Sequence, residues 1–149
     1  MAHIDDLLPP ARTPADHLRL VDDPRADQET LYALAGSPYN FVRSAVADSP
    51  RADARTLAAI PLDDLNSWTR NHILAATARH PNADRRTLLQ TLHRTAALLD
   101  RPGERPYAAA LALATRPELT IPEILSLTTC RNASRRMIRG VHRGLSTRG

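Results

Sequence analysis

One eight-residue phrase, Pro-x-Ala-Asp-x-x-Thr-Leu, occurs three times in this chain and constrains its fold more than any other feature. The three copies begin at Pro24, Pro50 and Pro81, and a degraded fourth copy begins at Pro117. Self-similarity at such spacings is the sequence signature of repeat architectures, in which each unit stacks on its neighbours. The repeat therefore predicts a helical solenoid.

Each copy of the phrase has the composition of a boundary between two helices. Ser49-Pro50 ends one helix, because the residue before a proline is pushed out of the α region. Asp53 then serves as the N-cap of a second helix, and Asp27 and Asp84 do the same in the other copies. No run alternates between apolar and polar residues as a half-buried strand does, so we expect an all-α fold.

Further helix starts are expected where polar cap residues precede apolar periodic segments. Ser37 and Ser67 are the predicted N-caps of two long helices, and Thr13 and Thr120 each open a capping box. The 149 residues suit a single domain. Its predicted parts are an N-terminal extension over residues 1–12, repeats over 13–130, and a basic capping helix and tail over 131–149.

The composition indicates what fills the core of this domain. Apolar residues make up 42% of the chain, but aromatic residues make up only 3%. A core with so few rings must be built from Leu, Val, Ile and Ala. That composition suits closely stacked helices better than a sandwich or barrel, which favour β-branched and aromatic residues.

The stretch from Phe41 to Leu57, which reads Phe-Val-Arg-Ser-Ala-Val-Ala-Asp-Ser-Pro-Arg-Ala-Asp-Ala-Arg-Thr-Leu, resembles the leucine-rich repeat variant family. The resemblance implies a right-handed α-solenoid of about four to five helical-pair repeats, related to HEAT-type arrays. It also implies a general habit of binding, and no catalytic residue. Arg43 has no counterpart in the other units, where Leu74 and Ala110 take its place.

Residue patterns typical of catalysis or of cofactor binding are absent from the sequence. No two histidines have the spacing of a metal motif, and none of the five glycines lies in a phosphate-binding loop. Asp63 and Asp64 are interpreted as solvated or capping residues of a loop. A lone Cys130 excludes an internal disulfide. We therefore expect no enzyme, no cofactor and no metal site.

The charge of the chain is concentrated near its C-terminus. Residues 1–100 hold 11 arginines against 13 acids, whereas residues 101–149 hold 9 arginines against 3 acids, and no acid follows Glu123. All 20 basic residues other than histidine are arginine. Biased codon usage explains this, and so does selection for bidentate contacts to anions.

One set of arginines follows the repeat. Arg25 and Arg51 come directly after equivalent prolines, and Arg55 and Arg86 come five residues after theirs. Equivalent positions of a stacked array align along one edge, so these side chains are candidates for an arginine ladder that binds an anionic partner. The alternative is a row of ordinary solvated turns, partly neutralised by the neighbouring aspartates.

A second basic set lies on the predicted last helix, over about residues 133–144. At 100° per residue its basic side chains fall within one third of the helix circumference. They are Arg135, Arg136, Arg139, His142 and Arg143. Gly140 and Gly144 are expected to weaken this helix. It is either a polar cap of the array or a surface for nucleic-acid phosphates, an acidic protein or anionic lipid.

The sequence thus predicts a non-catalytic binding module with a macromolecular partner. A protein that contacts the concave surface is the favoured partner, and the alternative is nucleic acid bound by the basic helix and the repeat-edge arginines. Neither a signal peptide nor a membrane-spanning segment is predicted, so the expected location is the cytoplasm.

Overall fold

The computed structural model describes residue 7 and residues 13–148. All regular secondary structure between Pro14 and Ser146 is helical. The predicted extension over residues 1–12 lies outside the described residues, except for Leu7. The helices are α1 (Pro14–Val21), α2 (Gln28–Ala35), α3 (Asn40–Asp48), α4 (Ala54–Ala59), α5 (Ser67–Arg79), α6 (Arg85–Leu99), α7 (Tyr107–Ala114), α8 (Ile121–Leu125), a 3-10 helix (Ser126–Thr129) and α9 (Arg135–Ser146). The predicted all-α class is confirmed.

Aspartate caps begin α2, α4 and α6, as the repeated phrase predicts. One carboxylate oxygen of each cap accepts a hydrogen bond from the backbone amide three residues later, at 2.9 Å for Asp27, 2.8 Å for Asp53 and 2.9 Å for Asp84. These amides lie in the first helical turn and have no partner within the helix. The phrase therefore starts a helix by satisfying one of its free donors.

Two of the predicted serine caps are wrong by a short distance. The helix predicted to start at Ser37 begins at Asn40, because the Ser37 hydroxyl accepts from the amide of Tyr39 at 3.1 Å and forms a turn before the helix. Asn66 takes the role predicted for Ser67, since its side-chain oxygen accepts from the amide of Thr69 at 2.8 Å.

The C-terminal elements are shifted relative to the prediction. The last helix, α9, runs over Arg135–Ser146 rather than 133–144, and the hydroxyl of Ser134 caps it by accepting from the amide of Met137 at 3.0 Å. Thr120 and Glu123 form the predicted capping box at the start of α8. After Leu125 the chain tightens into the 3-10 helix.

The helices lie in two rows. In the first row α1, α3, α5, α7 and α9 contact one another in that order, and in the second row α2, α4, α6 and the 3-10 helix do so. From α1 to α7, consecutive helices of the chain therefore alternate between rows. No helix of the described residues is long and apolar enough to cross a lipid bilayer.

Small and aliphatic side chains fill the space between the rows. The alanines that follow each repeated proline, Ala26, Ala52 and Ala83, are buried, and so are the leucines that end each phrase. In the degraded copy, Leu119 stands where the other copies have these alanines, and it is also buried. The aliphatic core expected from the composition is present.

Candidate anion-binding surface

Helix α9 has one buried side and one basic side. Its buried residues, Met137, Val141 and Gly144, face the rest of the protein. Its five basic side chains are all exposed and lie within one arc of about 120°, given the 100° turn per residue of an α-helix. We call this arc the basic face, and it consists of Arg135, Arg136, Arg139, His142 and Arg143.

Within residues 13–148, none of the five side chains of the basic face makes a hydrogen bond or an ion pair with a protein group. Arginines elsewhere in the chain do have acidic partners, for example Arg25 with Asp23 and Arg85 with Glu123. Because no acid follows Glu123 in the sequence, α9 carries no negative charge of its own. No described acid therefore pairs with the side chains of the basic face.

Two glycines bring α9 unusually close to α7. A Cβ atom on Gly144 would lie 2.9 Å from the Cβ of Ala114, and a Cβ on Gly140 would lie 2.3 Å from a terminal methyl group of Leu111. Real Cβ atoms do not approach other atoms so closely. The glycines that the sequence suggests as weak points are thus the residues that allow the helix to pack against its neighbour.

A groove of about 650 Å³ lies between α7 and α9. Its lining is largely apolar, with contributions from Tyr107, Leu111 and Met137, and it also includes Arg105 and Arg136. Leu111 remains 38% exposed there. We call it the α7–α9 groove. Since Arg136 belongs to both features, the groove is continuous with the basic face.

The arginines that follow the repeated prolines do not form a free ladder in this structure. Arg25 pairs with Asp23 at 2.7 Å, and hydrogen bonds from that guanidinium lower the pKa of the Asp23 carboxyl to about 2. Arg51 instead donates to the backbone oxygens of Asp23, at 3.0 Å, and Ala26. Both side chains are engaged within the protein.

The role of Arg51 recurs in the other proline turns. Asn82 donates to the oxygens of Pro50 and Ala52, at 3.1 and 2.9 Å, and Arg116 donates to those of His80 and Ala83, at 2.8 and 2.9 Å. Each turn thus has carbonyl groups satisfied by a side chain of the next turn.

Arg148, just beyond α9, serves the fourth proline turn in the same way. It donates to the backbone oxygens of Pro117 and Leu119, at 3.3 and 2.6 Å. All four proline turns therefore receive side-chain donors from a later part of the chain.

Arg55 and Arg86, the other members of the predicted ladder, lie at one groove of the second row. The groove has a volume of about 560 Å³ and passes over the short helix α4. Arg55 is paired with Glu29 at 2.8 Å and lies 3.8 Å from the centre of the Tyr32 ring. Arg86 is exposed. The structure brings these two arginines together and leaves Arg25 and Arg51 apart from them, in the turns.

Arg43 and Asp64 form a contact that the sequence does not predict. The Arg43 guanidinium is buried and binds the Asp64 carboxylate through two hydrogen bonds, of 2.7 and 3.0 Å, which lower the pKa of that carboxyl. It also donates to the backbone oxygens of Ser37 and Pro61. The signal in the sequence is that Arg43 has no counterpart in the other units and that its unit precedes an extra loop.

The arrangement offers cationic and apolar surface, and it can act chemically by binding anions. Comparisons with protein-family models, with curated proteins and with solved structures found no match to this chain.

Proposed function

We propose that the protein is a non-catalytic helical-repeat module that binds an acidic protein segment. The observation that carries this proposal is the apolar α7–α9 groove beside a basic face that no described acid neutralises. An amphipathic acidic segment complements both features, because its apolar side fills a groove while its carboxylates meet the arginines. The sequence predicts a contact on the concave surface, whereas the groove proposed here lies at the last pair of helices in the first row.

The fold that we propose for this module is an α-solenoid of four to five helical pairs, of the kind that the leucine-rich repeat variant family and HEAT arrays have. Two rows of helices with contacts between successive members of each row support it. Stacked repeats expose extended surfaces along their length, and they commonly use these surfaces for binding. A cytoplasmic location stays a prediction from the sequence.

Binding of nucleic-acid phosphates is the alternative function. The spacing of the arginines along the basic face supports it. Arg135 and Arg143 lie eight residues apart on one side of α9, about 12 Å at the rise of an α-helix. Four guanidinium groups along that length can contact successive phosphates without any base contact. Such binding would be independent of sequence and strongly dependent on salt.

A synthetic peptide tests the proposed function. A peptide of about 15 residues with leucines on one helical side and glutamates on the other should bind, as measured by isothermal titration calorimetry. A scrambled peptide of the same composition should bind at least about tenfold more weakly, because its leucines cannot enter the groove together. Equal binding of the two peptides would show that charge alone is recognised, and the proposal of a groove-binding protein would fail.

Matched variants locate the contact. Leu111→Gln should weaken peptide binding about tenfold, whereas Ile121→Gln, which changes another exposed aliphatic residue, should not. Replacement of Arg135 and Arg139 by Gln should weaken binding more than replacement of Arg79 and Arg86, since both pairs are exposed but only the first belongs to the basic face.

A mobility-shift experiment with a DNA duplex separates the two functions. If the basic face binds phosphates, four contacts should reduce affinity about a hundredfold between roughly 50 and 200 mM salt. Replacement of Arg135, Arg136, Arg139 and Arg143 by Ala should then abolish the shift. Duplex binding of this kind, without binding of the amphipathic peptide, would replace the proposed function by the alternative.

A further inference from the structure

A second cationic site lies between α5 and the C-terminal half of α6, and it shares no residue with the basic face. It is a pocket of about 450 Å³, within the range of natural small-molecule sites and towards its lower end. Arg70 of α5, Arg94 of α6 and Arg101, just after α6, contribute to its lining. We call it the α5–α6 pocket.

The residue of the pocket best suited to bind an anion is Arg94. Its side chain is half-buried, yet within residues 13–148 it makes no hydrogen bond or ion pair with a protein group. Burial lowers the pKa of its guanidinium, although the nearby Asp63 carboxylate opposes that shift. A guanidinium that has lost part of its water without gaining a partner is unfavourable, and a bound anion would relieve this cost.

Arg70 provides a second unmet donor at the same pocket. One end of its guanidinium pairs with Glu104, but its Nε atom is buried and has no hydrogen-bond partner. Because the pairing uses the outer nitrogen, Nε remains able to donate. This buried Nε atom is out of reach of a ligand in the pocket, whereas the side chain of Arg94 is only half-buried.

The charges around the pocket determine which anion fits. Arg70 is neutralised by Glu104, and Asp63 offsets one of the two remaining arginines, Arg94 and Arg101. The pocket therefore carries about one net positive charge. A ligand with one negative charge matches it, whereas a phosphate monoester, which carries close to two charges at neutral pH, does not.

The residues of the pocket lining other than Asp63 and the arginines are apolar. Leu62, Leu74 and Leu98 line the pocket, and all three are buried in the fold. Only a small part of their surface is open to the pocket, and an inorganic anion would leave that part facing water. We propose that the α5–α6 pocket binds a small monocarboxylate with an apolar body, its carboxylate held by Arg94 and its body packed against the leucines.

Calorimetric titration with 4-phenylbutyrate tests the proposal. We expect a Kd of about 1 mM or lower, and binding at least about tenfold weaker for 4-phenylbutan-1-ol, which has the same body without the charge. Absence of binding by the acid, or equal binding of the acid and the alcohol, would overturn the proposal.

Variants connect the binding to the pocket. Arg94→Gln should weaken 4-phenylbutyrate binding at least about tenfold, the lower limit for a lost charge-assisted hydrogen bond. Arg79→Gln removes an exposed arginine of α5 outside this pocket, and it should leave the affinity unchanged. Because Arg94 has no described partner, its replacement should preserve the fold, which circular dichroism checks. If Arg94→Gln binds the acid as the parent does, Arg94 does not hold the carboxylate and the proposal fails.

The carboxylate could belong to a free metabolite-sized acid or to the C-terminus of a peptide. A tetrapeptide that ends in a free leucine carboxylate, compared with its C-terminal amide, distinguishes these sources. Tighter binding of the free peptide than of 4-phenylbutyrate assigns the pocket to a chain terminus. The reverse order assigns it to a small acid, and in both cases the amide should bind poorly.

Discussion

At the residue scale, an aspartate side chain caps each of the α-helices α2, α4 and α6 in the second row. Asp53→Ala removes the carboxylate that accepts from the amide of Thr56 at 2.8 Å. We expect it to lower the free energy of unfolding by about 0.5–2 kcal/mol. Denaturant titration measures the change, and Asp53→Asn, which keeps a capping oxygen, is the matched control. A loss as large in Asp53→Asn as in Asp53→Ala would contradict the capping role.

Caps could be predicted from the sequence because they join residues only three positions apart. The same holds for the capping boxes at Thr13 and Thr120. The contact between Arg43 and Asp64 spans 21 residues, and nothing in the local pattern connects the two. Contacts at such separations depend on how the helices pack, so the sequence could indicate only that Arg43 was unusual.

At the element scale, replacing each of the two glycines of α9 by alanine should have a different effect on stability. Gly144→Ala should destabilise the protein, because the new methyl group would meet the buried Cβ of Ala114. Overpacking of this kind costs about 1–3 kcal/mol, which outweighs the gain in helix propensity of up to about 1 kcal/mol. We expect a lower thermal midpoint, measured by circular dichroism.

Gly140→Ala is the matched control for that prediction. The atom that it would meet is the terminal methyl group of Leu111, a partly exposed side chain that can rotate away. We expect a midpoint equal to or above that of the parent. An equal loss of stability in both variants would show that close packing against Ala114 is not what requires a glycine at position 144.

The amphipathic character of α9 could be predicted, since it depends only on the spacing of residues along one helix. The α7–α9 groove could not be, because its walls come from two helices and from the close approach that the glycines allow. Likewise, the predicted arginine ladder assumes that equivalent positions leave their guanidinium groups free for a partner. The structure differs there, as Arg51 turns back to the carbonyl groups of the preceding turn.

At the scale of the whole molecule, acid should weaken the fold. Hydrogen bonds from Arg85 and from the amide of Thr120 lower the pKa of Glu123 to about 2, and Arg25 does the same for Asp23. A carboxyl with a lowered pKa in the folded state stabilises that state while it is ionised. This contribution is complete above the ordinary carboxyl pKa of about 4, and it is lost as the pH falls towards 2.

Thermal midpoints measured from pH 7 to pH 2 test this prediction. We expect little change down to about pH 5 and a fall between about pH 4.5 and 2. Glu123→Gln cannot ionise at this position, so the variant should lose less of its stability over the same interval. A thermal midpoint that stays constant down to pH 2 would show that the ionised carboxylates of Glu123 and Asp23 do not stabilise the folded state.

The hydrogen bonds between successive proline turns also have a direction. Donors to the Ser49–Ala52 turn lie on His80 and Asn82, 30 to 32 residues later, and Arg148 reaches back 29 and 31 residues to the fourth turn. The bonds from Gln28 to the oxygen of Arg51 and from Arg85 to that of Glu118 run the other way. On the ribosome, where the chain emerges from its N-terminus, each turn must therefore rely on water until the following unit has been made. Folding of this protein should accordingly lag its synthesis by one unit.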